Sequence, residues 1–387
     1  MQLSYEAKLI IKELELCGYE AYIVGGAVRD YLLNKKPNDF DIATNATPDE
    51  VKNIFRKYHL IEQGLKHGTI TIILNSKPIE VTTYRTEEEY FDNRHPSKVT
   101  FVKSLYLDLS RRDFTINALA YNKVVIDYFN GKQDLKNKLI RAVGNADERF
   151  KEDSLRILRA LRFSTQLSFL IEGETKKAIL KNKLLLQNIS IERINSEICK
   201  MLLSDITLVL IDYFEVFKVI IPELNIDEIK DNIELLKKAD PILEIRLFCL
   251  LYNNKNIENI VRNLRFSNKI IKKITLLNEF SNLPIIEDKI NIKILLNKIN
   301  IEDLKMIIKF KELLNQNANS LMIIESVKDE CYNLKSLNIN GNDLLNIGIF
   351  PKDVSKVLNR ILNLVIEEKV DNSKDNLIKL ALEIKKA

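Results

Sequence analysis

YIVGGAVRDYLLNKKPNDFDIAT, residues 22–44, decides the fold. A short apolar run, Ala21 to Val24, reads as a strand that ends in Gly25-Gly26. Ala27 to Leu33 follows as one or two helical turns, and Asp39 to Ala43 as a second strand. Strand side chains two apart share a face, so Asp39 and Asp41 are expected to present paired carboxylates. Such hard oxygen ligands suit Mg²⁺, which binds through one or two carboxylates plus substrate phosphates. Two such ions activate an attacking hydroxyl and stabilise a leaving pyrophosphate. Glycines at 25 and 26 let backbone N–H groups approach a phosphate chain, with a helix start behind them. Arg29 adds positive charge. Two acids on a surface strand are the plain alternative, but a Gly-Gly turn just upstream favours the phosphate-binding one. Glu80, on an expected strand from Ile79 to Tyr84, is a candidate third carboxylate.

Around this stretch, strand and helix signals alternate. A helix is expected from Ser4 to Gly18. Thr47-Pro48-Asp49-Glu50 is a helix start, with Thr as cap, Pro in the first turn and acids near the positive end. Thr69–Leu74 and Ile79–Tyr84 are β-rich runs joined through Asn75-Ser76-Lys77-Pro78, a hairpin. Residues 85–98, RTEEEYFDNRHPSK, lack periodicity and are expected to form a long loop. Val124–Tyr128 is a further strand. After Arg141 only helices are expected, with breaks near Gly173, Pro222, Pro241, Pro284, Gly341 and Pro351. The fold class is α+β: a mixed-sheet head followed by an all-α remainder.

The chain has 387 residues, 46% hydrophobic and 29% charged, which excludes global disorder. Cys17, Cys199, Cys249 and Cys331 form no C-x-x-C pair, so neither a zinc knuckle nor a redox motif is supported. His59, His67 and His95 show no ligand spacing. No uninterrupted apolar span is long enough to cross a membrane, and the N-terminal stretch reads as an amphipathic helix. The expected location is the cytoplasm. Net charge is +5, and residues 141–200 carry most of the excess, with 12 basic and 8 acidic side chains. Clustered positive charge points to a polyanionic partner. A P-loop, a G-x-S-x-G elbow and kinase signatures are absent from the sequence.

Two further clusters carry chemistry. In RRDFTINA, residues 111–118, Arg111 and Arg112 suit a triphosphate, and Asp113 can accept from a ribose 2′-hydroxyl. In EDSLR, residues 152–156, continuing to Arg159 and Arg162, basic side chains recur at three-residue steps on an expected helix from Lys151 to Phe163. Intrahelical ion pairs explain that spacing, and so does base reading. Cytosine and adenine each place an amino donor beside a ring-nitrogen acceptor. A carboxylate and a guanidinium would pair with both and mispair with uracil and guanine. Bidentate contacts of this kind discriminate by roughly 1–3 kcal/mol, more when a mispaired group is buried.

These motifs, in this order, resemble the class II tRNA nucleotidyltransferase and poly(A) polymerase family, most closely its CCA-adding members. The likeness extends through GLKHGTITI (64–72), IEVTTYR (79–85), RRDFTINALAYN (111–122), RAVGNADERFKEDSLRILRALRF (141–163) and ERINSEICKMLL (192–203), and more weakly through LNINGNDLLNIG (337–348). It implies a polymerase-beta-like nucleotidyltransferase head over residues 1–140, a helical neck that reads the base over 141–205, and a helical body and tail that bind tRNA over 206–387. It implies Asp39 and Asp41 as Mg²⁺ ligands at a two-metal site, with Glu80 as a further catalytic carboxylate. Gly25, Gly26, Arg29 and one of Arg111 or Arg112 would meet the triphosphate. Asp113 and Asn117 would lie near the nucleotide. Asp153 and Arg156 would form a protein template for C and A, oriented by Glu152, with Arg159 and Arg162 nearby. Segment 85–98 matches the family's flexible loop, associated with switching from C to A addition.

The resemblance implies addition of CCA to tRNA 3′ ends from CTP and ATP with release of pyrophosphate. The tRNA would be held at its 3′ end and acceptor/T-arm region. An A-adding enzyme and a poly(A) polymerase use the same chemistry and remain open. A catalytically silent RNA-binding protein is the alternative of another class, opposed by the intact Asp39, Asp41, Arg111, Arg112, Asp113 and Arg156.

Overall fold

The computed structural model describes residues 1–37, 39–90 and 96–386. The chain divides into two compact units. The first is Met1–Asp231 with two short returns, Asn253–Asn256 and Asn263–Arg265, and the second holds the rest.

The first unit begins with α1 (Tyr5–Leu16), capped by the Ser4 hydroxyl accepting the Ala7 N–H at 3.1 Å. Ala7, Ile10, Ile11 and Leu14 recur at helical spacing and are buried. Then come β1 (Ala21–Val24), α2 (Gly26–Leu32), β2 (Asp41–Thr44), α3 (Pro48–Ile54), β3 (His59–Ile61), β4 (Thr69–Leu74) and β5 (Lys77–Thr83). Beyond them lie β6 (Arg85–Tyr90), β7 (Pro96–Phe101), α4 (Leu105–Ser110), β8 (Leu119–Asn122) and β9 (Val124–Asp127). Seven strands form one mixed sheet in the order β3-β4-β5-β2-β1-β8-β9. Within it β2 and β5 run parallel, and the other neighbours are antiparallel.

Local chemistry accounts for the joints. Thr47 and Glu50 form a full capping box on α3. Asn75 and Ser76, both with positive φ, make the two-residue turn between β4 and β5, as the twist of a tight hairpin requires. That turn is shorter than expected, so Lys77 and Pro78 belong to β5.

Three other expectations are corrected. The second strand begins at Asp41, because its ladder with β1 ends at the pair Val24–Asp41, where β1 gives way to Gly25. Asp39 therefore lies outside the strand. The segment taken as a long loop contributes the antiparallel pair β6 and β7, with residues 91–95 outside the described part. Strand structure also persists past Arg141. A two-stranded parallel sheet joins β10 (Leu139–Ile140) to β11 (Leu170–Ile171), on either side of the helices that follow.

Those helices are α5 (Gly131–Asn137), which precedes β10, then α6 (Ala146–Glu152), α7 (Leu155–Leu167), α8 (Gly173–Asn182) and α9 (Ile191–Leu202). The expected helix Lys151–Phe163 is thus two helices. Asp153, at φ −133° and ψ 101°, is the extended residue that separates α6 from α7. Leu155, Leu158 and Leu161 of α7 and Ile194, Ile198 and Met201 of α9 are buried, as their three- and four-residue spacing dictates.

The second unit is helical. Phe248, Tyr252 and Phe310 pack edge to face, with ring centroids 4.7–5.8 Å apart. Its C-terminal part is built on helices Pro351–Ile366 and Lys374–Lys386, where Leu344, Ile361, Leu362 and Leu377 share one apolar core. Lys293, 3% exposed, is held by Glu330 at 2.5 Å and Glu368 at 2.9 Å. No described helix is long and apolar enough to cross a membrane.

One glycine is fixed by close approach. A Cβ at Gly131 would overlap the Thr115 carbonyl oxygen, inside the turn that carries Asn117. Gly131→Ala is expected to cost about 2 kcal/mol or more of stability, in the range of overpacked sites. Urea unfolding of the two proteins measures it.

Candidate active site

A cavity of about 780 Å³ opens in the first unit over the ends of β1, β2 and β5, and α7 and α9 contribute to its walls. Its floor is set by one turn. Gly25 has φ +70°, and its N–H donates to the Leu119 carbonyl at 3.1 Å. A Cβ there would meet Arg112 Nη1 at 3.2 Å, so glycine serves both the conformation and the close approach. Arg29, one turn into α2, donates from Nη1 to Asn117 Oδ1 at 2.8 Å and lies 5.3 Å from the Phe163 ring centre.

Asp41 and Glu80 enter the cavity side by side. The parallel register that pairs Ile42 with Val81 carries Asp41 alongside Glu80, and both are exposed. Enclosure by the cavity walls pushes the Asp41 carboxyl above its ordinary value, and the charges of Glu80 and Asp39 add to this while Arg112 opposes it. Asp39 lies on a neighbouring recess. The expected pairing of Asp39 and Asp41 on one strand face is therefore replaced by Asp41 beside Glu80. Among the described residues, no three His, Cys, Asp or Glu side chains converge closely enough to hold a metal ion. Two adjacent carboxylates still suit an ion that takes its remaining ligands from water and substrate phosphate.

Seven described arginines line the cavity: Arg29, Arg85, Arg111, Arg112, Arg156, Arg159 and Arg193. Buried carboxylates hold several of them. Asp108, fully buried, takes Arg111 at 2.7 Å and Arg112 at 3.2 Å. Burial works to raise the Asp108 carboxyl, but the two guanidiniums outweigh it and hold it below the usual range. Asp113 takes Arg159 at 2.5 Å and accepts from Asn117 at 3.1 Å and the Phe114 N–H at 2.8 Å. Burial opposes ionisation there too, but Arg159 and Asn117 prevail and bring Asp113 down to about 2. In this arrangement Asp113 braces Arg159 and Asn117, and its acceptor positions are filled.

The neck residues divide. Arg156 donates to Glu152 at 2.7 Å and to the carbonyls of Arg149 at 3.1 Å and Arg111 at 2.9 Å. These three bonds leave two of its five N–H groups uncommitted. Asp153, freed from helical geometry, faces the cavity and is bound by Arg193 of α9 at 3.2 Å. Arg162 does not line the cavity. It is buried against Glu197 of α9 at 2.6 Å, with its guanidinium over Phe163 at 4.0 Å.

Sequence reasoning missed Asp108, Arg85, Arg193 and Phe163. Asp108 precedes Arg111 and Arg112 by three and four residues, a helical spacing visible in DLSRR. Arg85 and Arg193 stand in stretches already singled out, IEVTTYR and ERINSEICKMLL, but nothing local aims them at the cavity.

A carboxylate whose value is depressed on folding stabilises the fold above its unfolded value and loses that contribution as pH falls through the folded one. The stability difference between wild type and Asp113→Asn is therefore expected to be largest above about pH 4, near the unfolded value. It should shrink toward pH 2. Urea unfolding across that range measures it; a difference independent of pH would show that Arg159 does not hold Asp113 ionised.

Three comparisons bear on this arrangement. The poly A polymerase head domain family matches residues 21–141, an RNA- and SrmB-binding segment of polymerase A matches 168–227, and tRNA nucleotidyltransferase domain 2 matches 238–381. The CCA-adding enzyme of Staphylococcus haemolyticus is 38% identical over 98% of this chain and 97% of its own. That of Pediococcus pentosaceus is 36% identical over 95% and 94%. The crystal structure of the Bacillus stearothermophilus CCA-adding enzyme in complex with CTP superposes with a TM-score of 0.80 at 28% identity, covering 100% of this chain and 98% of that one.

Proposed function

Since this chain belongs to the CCA-adding enzymes, we propose that its cavity adds C, C and A in turn to tRNA 3′ ends, taking CTP and ATP and releasing pyrophosphate without a nucleic-acid template. One observation carries the reading. Asp41 and Glu80 face an arginine-lined cavity that Asp153 and Arg156 also line.

The triphosphate lies along Gly25-Gly26, with Arg29 and Arg112 against its oxygens. Arg112 is the better placed of the adjacent pair, because its Nη1 already lies at the Gly25 turn. Asp41 and Glu80 would hold Mg²⁺, which when bound would lower the pKa of the attacking hydroxyl and neutralise charge on the leaving pyrophosphate. Asp41 and Glu80 orient the reacting groups from adjacent strands. Asp153 accepts the amino group shared by cytosine and adenine. The uncommitted N–H groups of Arg156 donate to the ring nitrogen, with Glu152 fixing the guanidinium plane. Uracil and guanine would set a carbonyl against the Asp153 carboxylate and an N–H against Arg156. Residues 1–140 supply the chemistry, 141–205 the base reading and 206–387 the grip on tRNA.

Single-turnover extension of tRNA transcripts ending without CCA, with C and with CC tests the reading. C, C and A in order and then arrest is expected. A alone on the CC transcript would make this an A-adding enzyme, and long A tracts a poly(A) polymerase. Asp41→Asn and Glu80→Gln are each expected to lower the rate at least a hundredfold, the scale of losing a positioned catalytic group, with tRNA binding retained. Asp153→Ala is expected to narrow the CTP-over-UTP preference by roughly tenfold or more. An unchanged preference would remove the template assignment.

A further inference from the structure

Three guanidiniums gather on the ring of Phe163. Their central carbons lie 4.0 Å (Arg162), 5.3 Å (Arg29) and 5.4 Å (Arg159) from its centre, within reach of a cation–π attraction. Arg159 and Arg162 share α7 with Phe163, whereas Arg29 comes from α2. Phe163 is buried apart from the edge that lines the cavity, and it meets the Phe114 ring edge to face at 5.7 Å.

We infer that Phe163 is a positioning residue for the triphosphate, its ring holding the Arg29 guanidinium where it meets the phosphates. The inference rests on the proposed function, which sets the triphosphate against Arg29.

The three guanidiniums differ in what else holds them. Asp113 takes Arg159 through two bonds, at 2.8 and 2.5 Å. Glu197 takes Arg162 at 2.6 Å, and Gln166 accepts from it at 2.9 Å. Both would stay in place over an aliphatic side chain. Arg29 is contested. Asp30, its neighbour on α2, draws Nε and Nη2 at 2.9 and 2.8 Å, and Asp30 does not line the cavity. Against that pull stand the Asn117 amide oxygen at 2.8 Å and the negative face of the Phe163 ring. A leucine at 163 would keep apolar contact but remove the ring face, and the guanidinium would shift toward Asp30. Because α7 also carries Arg156, the same ring ties the grip on the phosphates to the helix that reads the base.

Binding tests this apart from catalysis. Isothermal titration of the full chain would use CTP and inorganic tripolyphosphate, which has no base. Phe163→Leu is expected to weaken both by about fivefold, the worth of one partly enclosed cation–ring contact. Phe163→Met, nearer in volume, should do the same, whereas Phe163→Tyr, which keeps the ring face, should retain the wild-type affinity. In an Arg29→Ala background Phe163→Leu should cost nothing further. In tRNA extension the KM for CTP and for ATP should rise by the same factor with kcat held, as when binding is lost equally from ground and transition states. The CTP-over-UTP preference should not move. The inference fails if Phe163→Leu and Phe163→Met leave tripolyphosphate binding unchanged or weaken CTP alone. It also fails if the loss persists in the Arg29→Ala background, or if Phe163→Tyr loses as much as Phe163→Leu. Wild type that binds tripolyphosphate but extends no tRNA would overturn the proposed function and leave the Arg29–Phe163 coupling to be read from the same titrations.

Discussion

Seven guanidiniums around one cavity must be held in place before any substrate arrives. At an effective dielectric near 20, two guanidiniums about 6 Å apart would cost ~3 kcal/mol. The first unit meets this with carboxylates placed behind the arginines. Asp108 takes Arg111 and Arg112, Asp113 takes Arg159, Glu152 takes Arg149 and Arg156, and Asp153 takes Arg193. Breaking such a buried pair leaves an uncompensated charge, which is strongly destabilising. The cavity stays positive toward a triphosphate, yet its walls are locally neutralised.

The same pairs assemble the unit. Asp113 and Arg159 stand 46 residues apart, and their bond ties the RRD turn to α7. Arg156 reaches the Arg111 carbonyl, a second tie between the same two segments. From α9, Arg193 and Glu197 hold Asp153 and Arg162, on either side of the start of α7. The residues expected to read the base are thus fixed to those expected to hold the phosphates. A substitution in one set is felt in the other.

Much of this was legible. The Gly-Gly turn, the Thr47-capped start of α3 and the β4–β5 hairpin follow from local preferences, and the structure bears them out. The mixed-sheet head and helical remainder follow from where the alternation of strand and helix signals stops. Other features were hidden because they depend on distant partners. The strand β2 starts two residues late because β1 runs out of residues to pair with it. Arg85–Tyr90 and Pro96–Phe101 form a strand pair although their composition lacks a β pattern, since a ladder satisfies backbone groups whatever the side chains. Asp153 interrupts a stretch of strong helical periodicity, and its carboxylate is taken up by Arg193, 40 residues along the chain.

By itself, the sequence determined the order of the elements, the family and the chemical types gathered for the reaction. These are properties of neighbours in the chain, where spacing and side-chain type settle turns, caps and motif order. Tertiary structure alone decided which groups meet. It set Glu80 rather than Asp39 beside Asp41, turned Arg162 away from the cavity, committed Asp113 to Arg159, and put Asp39 on a recess of its own. Each of those outcomes depends on a strand register or a long-range charge pair, and both are fixed only when segments far apart in sequence bury their surfaces together.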